Sequence, residues 1–135
     1  MKAYRLILVA LLGIMMCSCK KDEPSYYVND LQALWLENGT QHYVRFTDEQ
    51  SDRSGYFWGR QWDLSEDIHE EDLEPYGNGW FHYQLEKKGN LHEIHVMDNQ
   101  GAVIPKEYVV SKLTNSDLEY YESGDKKNKF YFTKQ

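Results

Sequence analysis

The chain has 135 residues and a formal net charge of −7, enough for one domain and without the Lys and Arg excess that phosphate-backbone binding draws on. Hydrophobic residues at 41% exclude disorder of the whole chain, and an aromatic share of 15% leans toward strands, where flat rings suit a pleated, half-buried surface. Its two cysteines, Cys17 and Cys19, lie too close together to staple a fold.

The first element is a short basic start, Lys2 and Arg5, followed by the uncharged run Leu6 to Met16. As a helix that run rises roughly 16 Å, about half a bilayer's hydrocarbon core, which suits a signal-peptide segment and not a membrane span. Met16-Cys17-Ser18-Cys19 follows at once, and then the polar stretch Lys20-Lys21-Asp22-Glu23-Pro24. This arrangement resembles a bacterial lipoprotein signal of the Bacteroidetes type, whose lipobox cysteine carries diacylglycerol and becomes the first mature residue. The resemblance implies lipidation at Cys19, with Cys17 as runner-up and an ordinary secretory signal as the alternative. It implies a signal peptide over 1–18, a lipidated tether over 19–29 and a folded domain over 30–135. It also implies an outer-membrane address, periplasmic or surface-facing, with the membrane as a partner through the N-terminal anchor. An acylated Cys19 leaves the domain without a thiol, which excludes thiol redox chemistry and cysteine metal sites.

Beyond the tether, short apolar and aromatic runs alternate with turn signals. Ala33 to Glu37 leads into Asn38-Gly39, a strong hairpin signal, and Gln41 to Thr47 returns with alternation. Gly55 to Trp62 predicts a third strand. Asp63 to Gly79 interrupts the pattern. Asp63 stands as a helix N-cap with Glu66 at the third helical position, Leu64 and Ile68 share a helical face, and Pro75, Gly77 and Gly79 mark the stop. The six acids that follow Asp63 (Glu66, Asp67, Glu70, Glu71, Asp72 and Glu74) suit a solvated face; the spacing and central Gly of an EF-hand calcium loop are missing. Further strands are expected at Trp80 to Glu86, Leu91 to Met97, Lys106 to Leu113, Leu118 to Glu122 and Lys129 to Thr133, separated by Gly, Asn, Ser and Asp turns. Eight meandering strands with one short helix between the third and fourth predict an all-β, antiparallel up-and-down barrel, since closure removes the edges; an open sandwich is the competing solution.

Leu31-Gln32-Ala33-Leu34-Trp35, Tyr43-x-Arg45-Phe46, Tyr108-x-x-x-Lys112-Leu113-Thr114 and Phe130-x-Phe132-x-Lys134 together resemble the lipocalin-like (calycin-type) barrels, with Ala33 where that group opens on glycine. The resemblance covers nearly the whole mature chain. It implies a barrel closed near Trp35, acting as a barrel-end structural residue, with an opening that admits a small apolar molecule. A barrel of eight strands either fills with its own side chains or holds one ligand.

Within that frame Tyr56, Trp58, Arg60 and Trp62 share one strand face, and aromatics flanking a guanidinium can hold an acid or a sugar as readily as they fill a core. Arg45 points inward by the resemblance and outward by alternation with Val44 and Phe46. A two-residue turn at Lys88-Gly89 pairs Tyr83 with Ile94 and Phe81 with Val96, facing inward. The same register sets His82 opposite His95, with Glu93 nearby on the outer face, where a polar surface is a simpler reading than zinc. The expectation is therefore no metal and no cofactor. There is no Gly-x-Ser-x-Gly elbow, P-loop or dinucleotide fingerprint, so no enzyme is expected. The expected function is a small apolar or amphipathic ligand held in the mouth by Trp58, Arg60, Trp62 and Tyr83, with 63–79 as its rim. The alternative is an accessory lipoprotein with a filled barrel, presenting loops to an envelope protein or glycan.

Overall fold

The computed structural model describes residues 23–98 and 100–135; Cys19 and the signal segment lie outside the described residues. Eight strands close into one antiparallel barrel in sequence order. They are β1 (Leu34–Glu37), β2 (His42–Gln50), β3 (Phe57–Asp63), β4 (Trp80–Leu85), β5 (Asn90–Val96), β6 (Val103–Leu113), β7 (Asp117–Glu122) and β8 (Lys129–Lys134). Closure is made by β8 returning to β1, with Trp35 opposite Lys134 and Glu37 opposite Phe132. The backbone groups of both terminal strands therefore find ladder partners, and no edge is left to template another chain.

Period-2 alternation explains the interior. Trp35, Val44, Phe46, Phe81, Tyr83 and Phe132 are among the buried core residues, while Tyr43, Arg45 and Arg60 alternate with them on the outer wall. Arg45 thus points outward, as its alternation predicts. One end of the barrel is stoppered by the incoming chain. The Tyr26 amide donates to the Lys87 carbonyl at 2.8 Å, and helix α1 (Val28–Leu31) presses a fully buried Leu31 into the core. Trp35 is buried beside it, and its indole Nε1 donates to the Leu31 carbonyl at 2.8 Å. That bond satisfies the only polar atom of the ring.

Two local expectations are corrected. The short helix between β3 and β4 is a pair of separate 3₁₀ turns, Leu64–Glu66 and Glu70–Asp72. Asp63 does cap the first, accepting from the Ser65 amide. Asp67 then adopts a left-handed conformation (φ 57°), which ends the turn before an α-helix can propagate. The β4–β5 hairpin is also displaced by one residue. The Glu86 amide donates to the Asn90 carbonyl at 2.9 Å across a turn of three residues, with Gly89 at φ 112°, instead of the expected two. Tyr83 pairs with Glu93 and Phe81 with His95. A one-residue slip reverses every side chain of a strand. Leu91, Glu93 and His95 therefore face the lumen, Ile94 faces out, and Val96 packs against the outer wall.

Candidate functional site

The residues expected to share the mouth are split between two surfaces. Tyr83 is inside and fully buried, and its hydroxyl donates to the Thr47 carbonyl; burial pushes its phenol upward, so it stays neutral. Trp58, Arg60 and Trp62 lie on the outer wall, because Gly59 and Gln61 hold the inward positions between them. There Trp58 joins a second apolar cluster. Trp58 meets Trp80 edge-on at 5.5 Å, Val96 and Leu73 pack alongside, and the Arg60 guanidinium stacks over Trp80 at 4.8 Å. Trp62 stacks flat on Tyr43 at 5.7 Å.

The 63–79 segment closes over this cluster, and Glu70 is its anchor. Its carboxylate accepts from Arg45 Nε at 2.7 Å, from Arg45 Nη2 at 3.0 Å and from Arg60 Nε at 3.0 Å. Burial opposes ionisation of Glu70, but the hydrogen bonds from Arg45 and Arg60, with their charges, outweigh it and hold the carboxyl below its ordinary range. An acid read as solvated is thus the clamp for two arginines.

The lumen opens at the end opposite the stopper. A cavity of about 190 Å³ there is lined by the C-terminal ends of β1, β3, β5 and β7 and the N-terminal ends of β2 and β8. Val44, Tyr108, Tyr120, Phe130 and Phe132 form its apolar walls. Across its polar side runs one chain of hydrogen bonds: Glu37 Oε1 to His42 Nδ1 (3.1 Å), His42 Nε2 to Gln61 Oε1 (3.0 Å), Gln61 Nε2 to His95 Nδ1 (3.1 Å) and His95 Nε2 to Glu93 Oε1 (2.7 Å). In the amide orientation this network assigns, His95 accepts from Gln61 and donates to Glu93. His42 meets Gln61 through Nε2 and Glu37 through Nδ1. The array fixes the tautomer of His95 and leaves Glu93 bonded through one oxygen. Its other oxygen, Oε2, is buried and has no partner among the described residues.

Glu37, His42 and Gln61 were not singled out from sequence. Strict alternation from Trp35 and Gly59 places Glu37 and Gln61 on the inner face, and that signal could have found them. A two-residue turn sets Glu93 and His95 outward; the three-residue turn of the structure brings them into the lumen. His82 lies on the opposite, outer side of the wall, paired with Ile94, so the three groups of the zinc reading do not meet. Among the described residues no group of three His, Cys, Asp or Glu converges as a metal site. No protein-family model, curated protein or solved structure matches the chain.

Proposed function

We propose that this chain is a cell-envelope lipoprotein, acylated at Cys19, whose lipocalin-like barrel receives a small amphipathic molecule, or the head of a larger one, at its open end. The observation that carries this reading is the asymmetry of the lumen: one end is stoppered by 26–35, and the other holds a cavity of about 190 Å³ with aromatic walls and one polar side. That volume lies below the roughly 300–1,000 Å³ of sites that bury a whole drug-sized ligand, which favours a compact molecule or a head group. The test is native mass spectrometry of the protein purified from its host, beside a Val44→Phe variant that fills the cavity. A co-purifying small molecule that the variant loses is the expected result; no bound mass in repeated preparations overturns the reading.

A second reading, an accessory lipoprotein that presents its surface to a glycan or protein, is favoured by one separate observation. A shallow groove on the outer wall, about 1010 Å³, is lined by Trp58 and Tyr76 together with Glu49, Asp52, Glu74 and Asp98. Tyr76 is half exposed and sits at φ 60°, an uncommon backbone for a bulky residue; its hydroxyl donates to Glu49.

A further inference from the structure

We infer, resting on the open-end cavity as the ligand site, that the part of the ligand entering it is a cation, a protonated amine received by Glu93. Glu93 is only 3% exposed, on β5 between Tyr83 of β4 and Lys106 of β6. An ionised carboxylate offers about four lone-pair sites, and leaving one of its oxygens unpaired in a buried place is costly. The protein supplies a single donor, His95 Nε2, on Oε1. Oε2 has none, although Glu93 lines the cavity. The described residues thus leave one carboxylate oxygen without a donor beside the cavity that Glu93 lines, where a donor from outside the chain can reach it.

Charge and shape select the donor's class. Glu37, Glu93 and Glu122 line the cavity against one lysine, Lys106, while His42 and His95 are committed to the hydrogen-bond chain. Lys106 is exposed and makes no ion pair with Glu93 within 4 Å. The remaining wall is aromatic. The faces of Tyr108, Tyr120, Phe130 and Phe132 attract a desolvated cation. Burial, and after it the Glu93 charge, push the phenols of Tyr108 and Tyr120 upward, so they stay neutral and add no negative charge. A neutral alcohol would satisfy Oε2 without answering the excess of acid, and an anion would face it directly. An ammonium answers both. Its charge-assisted hydrogen bond to a carboxylate is about twice as strong as a neutral one.

The test uses three probes of one shape, benzylamine, benzyl alcohol and benzoate, titrated into the full-length protein in detergent and followed by the ring resonances of Tyr108 and Tyr120. Benzylamine is expected to bind about tenfold or more tighter than benzyl alcohol, with benzoate weakest. In Glu93→Gln the amine preference should vanish while benzyl alcohol binding changes little. Lys106→Gln, at an exposed position, keeps the question decidable should Glu93→Gln not fold: it should tighten benzylamine alone, and unchanged or weaker amine binding overturns the inference. Equal affinity for amine and alcohol, with both shifting the Tyr120 resonances, leaves the pocket standing and removes the cation. If no probe shifts Tyr108 or Tyr120, the pocket reading and the inference fall together.

Discussion

Among the described glycines, Gly59 has the least room for a side chain. A Cβ built on it lies 2.4 Å from the Phe81 ring, and that ring is fully buried between Phe46 and the stacked imidazole of His95. The ring has nowhere to turn, since Tyr83 closes a third side. Gly59→Ala should therefore cost about 1–3 kcal/mol by overpacking, read from chemical denaturation. The same displacement should disturb His95 and, through it, Glu93. Unchanged stability would mean the Phe81 ring yields, contrary to its packing. Nothing in the sequence around Gly59 announces this role. A glycine inside a strand signals only a close approach, and the approaching ring comes from another strand, more than twenty positions along the chain.

At the scale of elements, the strands were legible because turn residues bound them, and the faces were legible only where turn length was unambiguous. Asn38-Gly39 marked the β1–β2 hairpin, which the structure forms with Leu36 opposite Tyr43. Lys88-Gly89 did not fix the β4–β5 faces, because Lys87 belongs to the turn as well, and that one residue moved Glu93 and His95 from the surface into the lumen. The segment between β3 and β4 was opaque for a different reason. Glu70 looks like its acidic neighbours in sequence, and its partners Arg45 and Arg60 are brought to it only by the β2–β3 pairing. Glu70→Gln should loosen this cover, with faster hydrogen exchange across 64–79 and a loss of about 1 kcal/mol, the upper range for a partly exposed pair. The pH sign follows from the depressed carboxyl. Its stabilisation is present above the ordinary carboxylate pKa of about 4.3 and is lost as pH falls through the lower folded value. Wild type and Glu70→Gln should thus converge in stability as the medium is acidified. A gap that persists into strong acid would show that the clamp works through packing and not through charge.

For the whole molecule, closure was legible because eight short strands joined by short turns have only one arrangement without edges, and β8 reaching β1 realises it. The difference between the two ends came only with the resemblance, which closes the barrel near Trp35; strand and turn spacing alone do not carry it, because it depends on where the chain enters. The described N-terminal residues lie across the stoppered end, against the β4–β5 turn. From Cys19 to Tyr26 an extended tether spans at most about 25 Å. Were Cys19 acylated as proposed, the chain would enter the barrel from the membrane side, and the expected orientation sets the stoppered end toward the lipid and the mouth with Glu93 away from it. Fluorescent labels on Lys88→Cys, in the β4–β5 turn, and Lys126→Cys, between β7 and β8, should report this by energy transfer to a dye-labelled lipid. Lys88 should transfer more strongly, since the barrel's length separates the two sites. A stronger signal from Lys126 would reverse the orientation and direct the mouth to the bilayer. Cys19→Ala should abolish transfer from both positions and release the protein from membranes, and transfer that persists in that variant would remove Cys19 as the anchor.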